Sequence, residues 1–149
     1  VLVVRQAPRH DYRSVLVAVD FSPASRLAIQ MARRWAPGAR LVLLHVFELP
    51  FEGMLSFAGV DEQAIKRYIH AGVDGRRRLV HELARGADLA AGDYSVRVLH
   101  GAPSQQVVAM EQEYDADLIV MGKHGTHLVE EMLLGSVTKH VLAEAQGDV

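Results

Sequence analysis

Gly122 and Gly125 stand two residues apart, and Gly135 follows nine residues further on with Ser136 directly behind it. The run before them, residues 118–121 (Leu-Ile-Val-Met), reads as a short buried strand, and residues 135–145 read as a helix. Glycines in a turn from strand to helix let a ligand approach the backbone without meeting a Cβ. The helix start adds free N–H groups and the positive end of its dipole, both of which suit an anion. The chemistry open to this stretch is therefore the holding of a phosphate-bearing ligand, a nucleotide first among them. Ser136 can cap the helix or bond a phosphate oxygen, and Thr138 in the same first turn can reach a phosphate or a sugar. Lys123 can neutralise phosphate charge or simply be solvated, and a plain strand-to-helix turn is the bland alternative for the whole loop.

A second group of candidates lies near the front of the chain. Asp20 ends a valine-rich run and can offer a carboxylate to a ligand, or it can start the turn and assist the next helix. His124 and His127, followed by Glu130 and Glu131, resemble a divalent-metal cluster. A closed site needs a third inward-pointing ligand, so no dedicated metal site is assigned; Mg²⁺ carried in by nucleotide phosphates is the better expectation. His45, His100 and His140 fall in or near expected elements and are read as structural. There is no GxxxxGK[ST] loop, GxSxG elbow or HExxH pair. No catalytic residue is assigned, which favours a binder over an enzyme; the rival is a slow nucleotide hydrolase or autophosphorylating enzyme using His124, Lys123 or Asp20.

The elements that must position these residues alternate. Residues 13–20 form a buried strand. Ser22 and Pro23 open a helix as cap and first residue, and Pro37-Gly38 closes it. A strand at 41–47 is followed by residues 48–60, which show no period and read as a loop or lid. A long helix spans about 61–85, with Gly72 and Gly75 each weakening it by about 1 kcal/mol relative to alanine. Its basic run, Arg76-Arg77-Arg78, reads as a solvated face. A strand at 92–100, a helix after Pro103, the strand at 118–121 and the last helix complete the order. This alternation implies an α/β fold: a doubly wound, mostly parallel sheet of order 3-2-1-4(-5) with helices on both faces. The first and fourth strands then part at their carboxyl ends, where such sheets take ligands. Asp20 and Gly122 converge on that crevice.

With 149 residues the chain makes one domain, and a net charge of −2 gives no general attraction to nucleic acid or acidic membranes. There is no run of about 18 apolar residues and no signal peptide pattern, so cytoplasm is the default expectation. The absence of cysteine excludes disulfides and thiolate metal sites.

The spacing G-x2-G-x9-G-S, with Val15-Leu16-Val17-Ala18-Val19-Asp20-Phe21-Ser22, Leu43-Leu44-His45-Val46 and Gly135-Ser136-Val137-Thr138, resembles the universal stress proteins in their ATP-binding branch. The similarity covers roughly residues 13–149. It implies a Rossmann-like domain that binds ATP and acts in regulation or stress response, as a homodimer or tandem pair with a protein partner. It also implies that the Asp20 carboxylate bonds the base or ribose side of ATP. Ala18, Val46 and Met121 would line the adenine pocket, and Gly122, Lys123, His124, Gly125, Gly135, Ser136, Val137 and Thr138 would surround the phosphates. By type alone, Ala18, Val46 and Met121 are equally core residues.

The family closes its sheet with a fifth strand, and the chain stops where that strand would begin. Residues 1–4, Val-Leu-Val-Val, resemble such a strand from a preceding repeat, with residues 5–12 as linker. The domain proper is then 13–149, lacking its own closing strand. The expectation is that residues 1–4 form a strand and fill the open edge of the fourth, in cis or from a partner.

Overall fold

Four runs rich in valine and leucine become the strands β1 (Ser14–Ala18), β2 (Arg40–Phe47), β3 (Tyr94–His100) and β4 (Leu118–Met121). The computed structural model describes residues 1–7, 11–50, 54, 58–122 and 134–149. All pairings between strands are parallel, in the order β3-β2-β1-β4. Ala18 at the end of β1 is level with Leu44 of β2 and Met121 of β4. No fifth strand is present among the described residues.

Because side chains alternate along a strand, each run feeds two cores. Val15, Val17, Leu41 and Leu43 face α1 (Pro23–Trp35) and α2 (Glu62–Gly86), packing with Ile29, Ala32, Val80 and Ala84. Leu16, Val42, Leu44 and Ile119 face α3 (Pro103–Tyr114) and α4 (Ser136–Glu144), packing with Val107, Met110 and Val141. Burying each such aliphatic side chain contributes about 1.5–3 kcal/mol. A sheet buried on both faces explains why these runs are continuously apolar rather than alternating.

The element boundaries differ from expectation mainly at helix starts. Ser22 precedes α1, but its hydroxyl makes no capping bond; buried at 6% exposure, its Oγ has no hydrogen-bond partner among the described residues. Ser25 takes over the polar work of that turn. Its Oγ donates to Asp20 Oδ1 at 2.7 Å and accepts the Asp20 N–H at 2.9 Å. At α4 the N-cap is Gly135, and Ser136 is the first helical residue, so Ser136 is not the cap. His140 is exposed on α4, not structural as expected, whereas His45 is buried.

Residues 1–4 do not form the expected strand. The chain end explains the difference. After α4, the N–H groups of Gln146 and Gly147 donate to Glu111 Oε1 at 2.9 and 2.6 Å. Asp148 then makes a single parallel bridge to Leu118, accepting from Ile119 N at 2.8 Å and donating to Asp117 O at 3.0 Å. Val149 and Val3 exchange two backbone bonds, at 2.7 and 3.0 Å. The N-terminal run thus follows Val149 rather than β4, and one bonded pair does not extend into a ladder.

Asp148 draws the front of the chain to this point. Its carboxylate accepts from Arg5 N at 2.7 Å, Gln6 N at 3.3 Å and Tyr12 Oη at 2.7 Å. Burial, then the bond to Asp148 and the negative charges of Asp148 and Asp117, push the Tyr12 phenol from its ordinary 10.0 up to about 12. A raised pKa means the folded state holds the proton more tightly. The resulting stability is whole below pH 10 and is lost as pH rises toward 12. Urea midpoints should therefore fall more steeply over that interval in the wild type than in Tyr12→Phe; parallel pH profiles would contradict this.

Candidate functional site

At the carboxyl ends of β1 and β4, on the α3–α4 side of the sheet, lies a cavity of about 410 Å³. β1 contributes Ala18, and Val19 and Asp20 follow it; β2 contributes Leu44 and Val46 from one face of the strand. Met121 and Gly122 enter from the end of β4, Pro103 and Val107 from α3, and Gly135, Ser136, Val137 and Thr138 from the start of α4. Of the residues singled out in the sequence, Ala18, Asp20, Val46, Met121, Gly122, Gly135, Ser136, Val137 and Thr138 are brought together here. Lys123, His124 and Gly125 lie outside the described residues, as do His127, Glu130 and Glu131 and residues 51–53 and 55–57 of the expected 48–60 loop or lid.

Leu44, Val107, Pro103 and Val19 were not anticipated. Leu44 was accessible to reasoning: it stands two residues before Val46, and period-two alternation puts both on one face. Val107 and Pro103 were not, because no local pattern says which turn of α3 stands over the strand ends.

The cavity has two chemical halves. Ala18, Leu44, Val46, Val107 and Met121 make an apolar slot that suits a flat ring. Opposite, α4 begins without a side-chain cap, and its first intrahelical bond is Lys139 N–H to Gly135 O at 3.0 Å. The N–H groups at the head of a helix lack intrahelical partners and are available to an anion. Gly135 adopts φ −57°, ψ 158°, and a Cβ built there meets nothing within 4 Å among the described residues, which leave the approach to those N–H groups open.

Asp20 supplies the charged acceptor. Burial pushes its carboxyl up, but hydrogen bonds from Ser22 and Ser25 outweigh that and hold it below the usual carboxylate value. It is therefore ionised at neutral pH. Oδ1 accepts from Ser22 N at 3.0 Å and Ser25 Oγ at 2.7 Å, which fixes the group and, among the described residues, leaves Oδ2 to receive a ligand hydroxyl or amine.

An apolar slot, a fixed carboxylate and an uncapped helix start fit a nucleotide. They do not make a metal cage: among the described residues no three His, Cys, Asp or Glu side chains cluster to hold a metal ion. Among the described residues no helix is long and apolar enough to cross a membrane.

Comparison with known proteins agrees with this architecture. The model of the universal stress protein family matches residues 11–149. Universal stress protein MJ0577 of Methanocaldococcus jannaschii is 23% identical over 153 residues, covering 93% of each chain. Its solved structure superposes with a TM-score of 0.71 at 22% identity, again over 93% of each chain. A universal stress protein crystallised in complex with cAMP has a TM-score of 0.60 at 24% identity, covering 93% of this chain and 94% of that one. A universal stress protein of Mycobacterium bovis is 31% identical over 147 residues; the match takes in 93% of this chain but 45% of that protein.

Proposed function

The chain belongs to the universal stress protein family, and with it to the stress response; from that premise we propose that it is an ATP-binding regulatory domain whose nucleotide occupies the β1–β4 crevice. The observation that carries this reading is the joining, in one cavity, of an apolar slot, the Asp20 carboxylate and the uncapped start of α4. The adenine lies against Ala18, Val46 and Met121. Asp20 accepts from the ribose hydroxyls or the base. The phosphates meet main-chain N–H groups at Ser136, Val137 and Thr138, with the Ser136 and Thr138 hydroxyls as further donors. Gly122, Lys123, His124 and Gly125 complete the phosphate side. That a relative was crystallised with cAMP supports an adenine nucleotide in this fold. Mg²⁺ would arrive on the phosphates, since among the described residues this cavity offers it only Asp20 and hydroxyl oxygens. The same reading includes association as a homodimer or tandem pair and a protein partner that responds to nucleotide state, in the cytoplasm.

Calorimetry with ATP, ADP and AMP, each with and without Mg²⁺, tests it. The expected result is saturable binding that weakens by about tenfold in Asp20→Ala, as befits a hydrogen bond to a charged group. No heat with any of the three, together with no nucleotide in the protein as purified, would reject it. The hydrolase alternative predicts instead single-turnover cleavage of ATP that disappears in His124→Ala.

A further inference from the structure

A second and larger cavity, of about 850 Å³, opens on the opposite face of the sheet. Its floor is made by Phe21, His45 and Phe47, and its wall by α2, through Gly72, Gly75 and Arg76. β2 is shared between the two cavities: Leu44 and Val46 line the first, His45 and Phe47 the second.

Three unfavourable backbone choices meet at this cavity. Phe21 has φ 64°, a left-handed conformation that costs a bulky side chain of order 1–3 kcal/mol. That conformation sets its ring 4.2 Å from the His45 ring, tilted by 39°. Gly72 and Gly75 stand inside the 25-residue helix α2, where glycine is the poorest choice after proline. At Gly72 a Cβ would come within 3.1 Å of Arg76 Nη1 and 3.4 Å of the Phe47 ring. Gly72 thus lets Arg76 fold down over Phe47, 3.9 Å from the ring centroid. At Gly75 a Cβ would meet nothing within 4 Å among the described residues, so that glycine widens the cavity without serving a packing contact there.

The polar groups here are poised rather than spent. Arg76 donates one N–H to the Gly72 carbonyl at 3.3 Å, and among the described residues no carboxylate forms an ion pair with it. Its guanidinium keeps further donors and its charge for a ligand. Arg78 also lines the cavity, and among the described residues lining it Glu82 is the one carboxylate. Nδ1 of His45 lies 2.8 Å from the Val19 carbonyl and must donate to it, which leaves Nε2 as the acceptor of a neutral ring. Burial, reinforced by the charge of Arg76, lowers the His45 pKa and keeps the ring neutral, despite the opposing Val19 bond and Asp20 charge.

We propose that this cavity is a second ligand site, taking a small aromatic carboxylate whose ring packs against the half-buried Phe21 and whose carboxylate pairs with Arg76, which already covers the Phe47 ring. An aromatic ring and a guanidinium that has no ion pair among the described residues select for a flat body and a negative end together. The site does not rest on the nucleotide reading: its residues, face and ligand differ.

Benzoate and its neutral isostere benzyl alcohol, titrated into nucleotide-free protein and followed by NMR, decide the matter. Benzoate should give saturable shifts at the Gly72 and Gly75 amides and the His45 ring, and benzyl alcohol should give none. Arg76→Gln should weaken benzoate by about tenfold or more, the loss of a charge-assisted contact. Gly75→Leu, which places a side chain in open space on a helix, should abolish binding without lowering the unfolding midpoint. The proposal is overturned if benzoate produces no saturable shift at these positions, if benzyl alcohol matches it, or if binding persists unchanged in both variants.

Discussion

Gly135→Val is expected to abolish nucleotide binding and leave the protein folded. A Cβ at this position meets nothing within 4 Å among the described residues, and the backbone, at φ −57° and ψ 158°, is one that any L-residue adopts. The new side chain therefore finds no clash among the described residues. It stands instead in the cavity beside Ser136, across the approach to the head of α4. Ligand and methyl groups would compete for one space, and overpacking of this kind costs about 1–3 kcal/mol, or roughly a hundredfold in affinity at the upper end. Calorimetry with ATP alongside a thermal melt checks both halves. Retained binding would mean that the phosphates do not lie at α4. Lost binding with a collapsed melt would mean that Gly135 serves the fold.

The second large effect is at the other end of α4. In Gly147→Ala the added Cβ would lie 2.8 Å from the Ala116 carbonyl oxygen and 2.9 Å from that of Asp117. Both are backbone atoms fixed by neighbouring bonds: Asp117 N–H donates to Ser14 O, and Ala116 N–H to Glu111 O. They cannot yield as a flexible side chain would, so residues 147–149 must lift. With them go the bonds from Gly147 to Glu111 and from Arg5, Gln6 and Tyr12 to Asp148. A cost of about 1–3 kcal/mol is expected, a fall of roughly 3–10 °C in Tm for a domain of this size. The mechanism has its own signature. Tyr12→Phe should add little to Gly147→Ala, because the contact it deletes has already been lost. Fully additive costs would show that the terminal turn stays seated.

These two glycines illustrate what could be read before the structure and what could not. Gly135 was legible because a ligand-binding turn needs glycine within a short stretch of chain, next to a recognisable strand and helix. The sheet order was legible for a similar reason: continuous apolar runs such as residues 14–18 and 41–47 admit only strands buried on both faces, and helices between them force parallel crossovers. Gly147 carried no such signal. Its requirement comes from carbonyls of residues 116 and 117, thirty positions away, brought beside it only by the folded chain. The mistaken strand at 1–4 has the same origin, since a valine-rich run says that it will be paired but not with what. The run Arg76-Arg77-Arg78 reads as a solvated face because three charges stand in a row; Arg77 and Arg78 are exposed accordingly, but Arg76 turns inward over Phe47 through the gap left by Gly72. Ser22, in the expected place for a helix cap, gives up that role because Ser25 and Asp20 already satisfy one another across the turn.

β2 carries a constraint that neither cavity imposes by itself. Its residues 44 to 47 alternate between the two chambers, so their sidedness is a matter of parity. Lengthening the strand by a single residue ahead of Leu44 would turn both linings inside out at once, setting the imidazole and phenyl group where aliphatic carbon belongs and the reverse. Each chamber can be retuned by exchanging one side chain for another, but the count of residues along this strand is common property and cannot drift.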